Sequence, residues 1–190
     1  QTCALPIYIS DFFRANNLRF TPVVIADLDE IRRAYDSGRC DVFTNDFAAL
    51  AAQRTLLTRP ADHVILPERL SKEPLAVTIR QGDEELTNIV AWTTFALIDA
   101  EEMGITQANV EQIAATATNP VIRRLLGVEG NMGESLGAAR PDYVRTIIRT
   151  FGNYGEIFER HLGTNTPLGL ERGMNNIWTR GGLLYAPPAR

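Results

Sequence analysis

The sequence predicts an α/β protein in which a parallel, helix-covered sheet occupies the stretch up to about residue 80, with helices and loops alone after it. Two observations carry that prediction. Short apolar, β-branched runs alternate with amphipathic stretches in the first part, the pattern of strands joined by helical crossovers. After Met103 no further strand-like run occurs. The size and composition fit a globular chain: 190 residues, 45% hydrophobic and 22% charged. Domains of this size bury roughly 70% of the surface their unfolded chains expose.

The elements follow in order. Residues 8–17 read as the end of an amphipathic helix, with Ile9, Phe12 and Phe13 at helical spacing and Asn16-Asn17 as a stop. The run Thr-Pro-Val-Val-Ile-Ala at 21–26 is a buried strand. Asp27 caps a helix over 28–37, with Leu28, Ile31 and Tyr35 on one face and Gly38 just past its end. A second strand covers 41–44, and Asn45-Asp46 open a helix through Phe47, Leu50, Ala51 and Leu57. Strands three and four are expected at 63–67 and 75–79. Gly82-Asp83 start the longest helix, over 84–102. Further helices are expected at 106–115, 120–126, 141–151, 155–161 and 170–178, with a glycine-marked connection over 127–137 and an extended tail.

The opening heptapeptide stands apart. Gln-Thr-Cys-Ala-Leu-Pro-Ile at 1–7 reads neither as a strand with its turn nor as a capped helix. It resembles the translation of a common sequencing-library adapter, so the protein's own sequence is expected to enter at about Tyr8. Neither a basic leader nor an apolar h-region opens the chain, but that carries little weight beside such a start.

Composition excludes several function classes. A net charge of −4 leaves no basic footprint for nucleic acid or an anionic membrane surface. No run of about 18 apolar residues is present to cross a membrane. There is no Gly-x-Gly-x-x-Gly, no Walker-type loop, no Cys-x-x-Cys and no His-Glu-x-x-His. His63 precedes a strand and His161 ends a helix, where a cation suits the helix dipole, so neither is assigned to a metal or to catalysis. Arg32-Arg33 and Arg123-Arg124 read as solvated helix faces, and Trp92, Trp178 and Tyr154 as packing residues. Two cysteines, Cys3 and Cys40, are compatible with one disulfide or with two free thiols.

One carboxylate has a placement that suits binding. Asp46 follows the second strand, and in open α/β sheets ligands sit at the carboxyl ends of strands. There it could accept hydrogen bonds from an ammonium group. It could equally cap the helix that follows, and position alone leaves both roles open.

Several strings then carry a family resemblance. They are Ser-Gly-Arg-Cys-Asp-Val-Phe-Thr-Asn-Asp at 37–46, Leu-Pro-Glu at 66–68, Ser-Lys-Glu-Pro-Leu at 71–75 and Arg-Gln-Gly-Asp at 80–83. Gly-Ile-Thr-Gln-Ala-Asn at 104–109, Gly-Asn-Tyr-Gly-Glu-Ile-Phe-Glu at 152–159 and the ending Gly-Leu-Leu-Tyr-Ala-Pro-Pro-Ala-Arg at 182–190 extend it. Over residues 10–190 the chain resembles the periplasmic amino-acid-binding proteins of ABC importers, within them the general L-amino-acid-binding branch.

The resemblance implies a type II periplasmic-binding-protein fold, two lobes joined by a hinge and closing on a free amino acid, here missing the N-terminal part of one lobe. Residues 8–77 would be the ligand-binding lobe without its first strand and turn. Residues 78–190 would be the hinge, near 78–80, and the C-terminal, mostly helical part of the other lobe. An exposed apolar surface is then expected around Trp92, where the missing sheet belongs. In such proteins the aspartate matching Asp46 takes the ligand's α-ammonium, with Asn45 and Thr44 as weaker candidates for the pocket wall. The family's Gly-Thr-Thr turn and its carboxylate-binding arginine have no counterpart in this sequence, which predicts weak or absent binding by the chain alone. Similar proteins pair the cysteine matching Cys40; here a buried free thiol is expected.

The implied role is that of a solute-binding component that captures L-amino acids in the periplasm and delivers them to permease subunits. It would be a monomer with no nucleic-acid partner, no membrane insertion, no cofactor, no metal and no catalytic residue. Two alternatives share the fold, a dehydratase-like periplasmic enzyme and a sensory ligand-binding module. The enzyme would need a second acid or base converging on the substrate, and Asp46 stands alone at its strand end.

Overall fold

The computed structural model describes residues 2–3, 6–72, 75–137 and 140–188. It divides into two compact units: unit 1, Gln1–Ala76 with Pro167–Leu170, and unit 2, Val77–Thr166 with Glu171–Arg190.

Unit 1 is built on a small parallel sheet in the order β2-β1-β3. Strand β1 is Thr2–Cys3, β2 is Pro22–Val23 and β3 is Val42–Phe43. Thr2 lies beside Pro22 and Val42, and Cys3 beside Val23 and Phe43. The opening residues, which read as no strand, thus hold the central one. What their sequence lacks in β-branched pattern is supplied by ladder bonds on both edges, a tertiary effect outside local reading.

Parallel neighbours need long crossovers, and two helices provide them. Helix α1, Pro6–Ala15, joins β1 to β2 and stops at Asn17, whose φ of 55° is the left-handed conformation that asparagine tolerates. Helix α2, Leu28–Asp36, joins β2 to β3. Its cap forms as the sequence predicts: the Asp27 carboxylate accepts the Glu30 N–H at 2.8 Å. Gly38 follows its end with φ 75°. The core of unit 1 comprises Ile25, Ile31, Ala34 and Cys40, packed by Val23, Tyr35 and Phe43. Of the face expected to hold Leu28, Ile31 and Tyr35, Ile31 is buried and Leu28 exposed, because α2 turns Ile31 and Ala34 inward. Helix α3, Phe47–Thr55, follows β3, and a 3-10 turn covers Pro60–Asp62.

The third and fourth strands do not form. Residues 63–67 and 75–79 belong to no strand. Val64 is 77% exposed and Leu75 75%. A strand exists only where a neighbour takes its backbone bonds, and neither run has one among the described residues.

Unit 2 is helical. Helix α4, Glu84–Glu102, starts at Asp83, whose carboxylate accepts the Leu86 N–H at 3.0 Å. Its C-terminal half is buried, and its N-terminal turns are exposed. Trp92, around which an exposed face was expected, is half-buried and meets Phe95 edge-on with centroids 5.8 Å apart. Helices α5 (Val110–Thr116), α6 (Pro120–Leu125), α7 (Met132–Ser135), α8 (Tyr143–Phe151) and α9 (Tyr154–His161) follow. Ala96, Ala100, Ile105, Val110, Leu125, Leu126, Val144 and Ile148 form the core.

Two of the motifs that carried the resemblance lock together here. Glu156 completes a capping box with Asn153, and its Oε2 also accepts the Gln107 N–H at 3.0 Å. The Asn153 amide donates to the Ile105 carbonyl at 2.8 Å.

The helix expected at 170–178 is instead two 3-10 turns, Gly173–Asn175 and Trp178–Arg180, with Ile177 bridged to Leu184. An ion pair fixes this segment to α4. Arg172 reaches Glu101 through both terminal nitrogens, at 3.1 and 3.0 Å, with the two side chains 9% and 5% exposed. The guanidinium also lies over the Tyr154 and Phe158 rings, 5.4 and 5.1 Å from their centroids. No described helix is long and apolar enough to cross a membrane.

Candidate functional site

The candidate residues lie where β3 gives way to α3. Thr44 and Asp46 are half-buried and Asn45 is exposed. The Asn45 side-chain oxygen accepts the backbone N–H of Asp46 at 2.8 Å, which fixes the turn.

Asp46 occupies the N-cap position of α3 with extended backbone, φ −54° and ψ 143°, yet its side chain makes no cap hydrogen bond. The contrast with Asp27, Asp83, Asn119 and Asn153 is direct, because each of those side chains accepts a backbone N–H of its own helix. Capping, one of the two roles the sequence left open, is therefore not what the Asp46 carboxylate does. Nor does it pair with a described cation. It is a half-buried, uncommitted anion at a strand's carboxyl end.

Beside it lie two residues that sequence reasoning missed. Phe47 is the first residue of α3, and the Arg69 guanidinium carbon lies over its ring, 4.5 Å from the centroid. Twenty-two positions separate Phe47 and Arg69, and Arg69 sits between the two runs expected as strands, 63–67 and 75–79. No periodicity or spacing could have linked them.

The other titratable groups of unit 1 serve structure. The Tyr35 hydroxyl and His63 Nδ1 are 2.8 Å apart, with ring centroids at 5.2 Å. Burial pushes the Tyr35 phenol up from its ordinary value. Asp36 accepts the Thr58 hydroxyl at 2.8 Å and the Thr58 N–H at 3.1 Å, and these bonds hold its carboxyl below the ordinary carboxylate value. Among the described residues no cluster of His, Cys, Asp and Glu could hold a metal ion.

Cys40 corrects an expectation. It is disulfide-bonded, not a free thiol. The register explains the error: β1 runs beside β3 at Cys3 and Phe43, three residues beyond Cys40, a neighbourhood invisible while residues 1–7 read as no element.

No protein-family model matches the chain. It is 50% identical over 182 residues to the glutamate/glutamine/aspartate/asparagine-binding protein BztA of Rhodobacter capsulatus, covering 96% of this chain and 54% of that protein. The general L-amino acid-binding periplasmic protein AapJ of Rhizobium johnstonii is 49% identical over 184 residues, 96% of this chain and 53% of that one. The putative amino-acid ABC transporter-binding protein YhdW of Escherichia coli is 46% identical over 182 residues, with 96% and 53% covered. A solved structure, an ABC transporter periplasmic binding protein from Brucella ovis with glutathione bound, superimposes with a TM-score of 0.93 at 47% identity. That match covers 100% of this chain and 60% of the other.

Over 96% of its length, then, the chain is homologous to the amino-acid-binding periplasmic proteins of ABC transporters. Its fold is a part of the two-lobed periplasmic-binding-protein fold. The chain spans about half the length of the curated relatives it matches.

Proposed function

We propose that the chain is the ligand-anchoring part of a solute-binding component of an amino-acid ABC importer. It takes free L-amino acids in the periplasm for delivery to permease subunits, as a monomer and without catalysis. The observation that supports this most is the identity of 46–50% with amino-acid-binding transport proteins over 96% of the chain. In this reading residues 8–77 form the anchoring lobe, and residues 78–190 the hinge and part of the second lobe. Asp46 accepts the ligand's α-ammonium, while Thr44 and Asn45 line the same turn.

The chemistry is simple. An ammonium ion leaves water only where an acceptor replaces its hydration, and a carboxylate gives the strongest such bond. A carboxylate already spent on a helix cap would be a poorer acceptor, and that of Asp46 is unspent. The relative crystallised with glutathione suggests a wider ligand range, since the γ-glutamyl end of glutathione carries the same ammonium and carboxylate pair as a free amino acid.

Isothermal titration with a pool of L-amino acids and with glutathione tests the reading, with Asp46→Ala as control. Weak heat that Asp46→Ala removes is the expected result. Heat that survives Asp46→Ala would remove Asp46 from the site.

A further inference from the structure

We infer that Asn45 is a positioning residue: it takes the N–H of Asp46 from the upstream side, and so keeps the Asp46 carboxylate off the end of α3 and open to a ligand's ammonium. The inference rests on the proposed amino-acid-binding function and adds to it the device that readies the anchor.

An aspartate at a helix N-terminus has a built-in competitor for any ligand, because its carboxylate bonds the first-turn N–H groups of its own helix. That competitor wins at α2 and α4, where Asp27 and Asp83 accept N–H groups of their helices. At α3 it does not. The backbone there is still that of an N-cap, since the Asp46 carbonyl accepts the Leu50 N–H at 2.8 Å. Only the side chain takes no part in the cap.

Two local features set Asp46 apart. Its φ of −54° lies outside the range of −67° to −101° spanned by the four residues whose side chains do cap, Asp27, Asp83, Asn119 and Asn153. Its own N–H is also held differently. At α9 the Asn153 N–H is taken by Glu156, three residues downstream, and that reciprocal pair fastens the Asn153 side chain to its helix. The matching position in α3 is Ala49, whose side chain has no acceptor. Asn45 supplies the acceptor from upstream, its side-chain oxygen 2.8 Å from the Asp46 nitrogen. That bond anchors the peptide plane from which φ of Asp46 is turned, with no partner drawing the Asp46 side chain back over α3. Without the Asn45 oxygen the plane is released, and the cap becomes the nearest bond open to the carboxylate. An arriving ammonium must then break it.

The labelled full chain is compared as wild type, Asn45→Ala, Asn45→Asp, Asp46→Ala and the double variant Asn45→Ala, Asp46→Ala. Each is followed by amide hydrogen exchange and titrated with L-glutamate, and Asn45 is exposed enough for its variants to fold. In Asn45→Ala the amides of Ala48 and Ala49, the second and third residues of α3, should exchange about fivefold more slowly, the equilibrium worth of one satisfied cap. L-glutamate should bind about fivefold more weakly for the same reason. The slowing should vanish in the double variant, which lacks the carboxylate. Asn45→Asp keeps an acceptor for the Asp46 N–H and should leave both amides as they are in wild type. A merely structural Asn45 gives the opposite sign, since its loss would loosen α3 and speed exchange at both amides.

Unchanged or faster exchange in Asn45→Ala overturns the inference, and the proposed function survives that result if Asp46→Ala still abolishes the response to L-glutamate. Weaker binding without slowed exchange also overturns it, because Asn45 would then touch the ligand directly. Slowed exchange with unchanged binding does the same, since the carboxylate would not need to be free. A wild-type chain without any L-glutamate response at residues 44–47 overturns the proposed function and the inference with it.

Discussion

Replacing Asp46 by alanine should cost almost no stability, and the comparison with Asp27 makes that a sharp expectation. Both aspartates stand at the N-cap of a nine-residue helix in unit 1. The Asp27 carboxylate accepts the Glu30 N–H at 2.8 Å, while that of Asp46 accepts no N–H of its helix. A satisfied cap lost to alanine costs about 1 kcal/mol. Asp46 retains only the attraction between its charge and the helix N-terminus, about 0.3 kcal/mol in moderate salt. With a urea m-value of about 2 kcal/mol/M, Asp27→Ala moves the midpoint down by about 0.5 M and Asp46→Ala by about 0.15 M. Both tryptophans, Trp92 and Trp178, lie in unit 2, so unfolding of unit 1 is best followed by its amide signals. A loss at Asp46 equal to that at Asp27 would refute the reasoning, because the carboxylate would then be capping after all.

Other expectations follow from the same contacts. Arg172→Ala strands the Glu101 carboxylate beside the exposed Arg180 alone, at 3.5 Å, and should destabilise unit 2 by about 3–5 kcal/mol. The double variant Glu101→Leu, Arg172→Met should recover most of that loss by chemical denaturation, and an additive double variant would contradict it. Reducing the Cys40 disulfide should lower the stability of unit 1 by about 3 kcal/mol, read as a fall in its melting temperature with added dithiothreitol and none in that of unit 2. The Asp36 carboxyl is held low in the folded state by Thr58, so its contribution is present at neutral pH and is lost as pH falls through that lowered value. Carboxyl NMR titration should show this midpoint returning toward the ordinary 3.8 in Thr58→Ala. Burial pushes Tyr143 up to about 12, so its stabilising contribution holds below the ordinary phenol value and fades as pH rises toward 12. In the alkaline absorbance titration it should be the last tyrosine of the fold to ionise.

Much of the fold was legible where a local signal and the tertiary structure agree. Asp27 caps α2, Gly38 ends it, the asparagine pair stops α1, and Asp83 starts the long α4, all as residue chemistry dictates. Sheet partners were the blind spot. Thr2–Cys3 became a strand because two neighbours flank it, and residues 63–67 and 75–79 did not because none does. The same ignorance of β1 beside β3 concealed the disulfide of Cys40. At the candidate site, strand-end position pointed to Asp46 but could not choose between cap and ligand. A missing hydrogen bond, which only the folded structure reveals, excludes the cap. Arg69 and Phe47 meet across 21 intervening residues that include the rest of α3, and no sequence pattern encodes that contact.

The measurement closest to the central claim is a chemical cycle on the ammonium contact. Wild type and Asp46→Asn are each titrated with L-glutamate and with N-acetyl-L-glutamate, which keeps the carboxylates and removes the positive charge. If Asp46 takes the ammonium, acetylation weakens wild-type binding by about tenfold or more, the worth of a charge-assisted hydrogen bond, and changes Asp46→Asn binding little. An equal acetylation penalty in both proteins would contradict the account, since the ligand's ammonium would then be held by some other group.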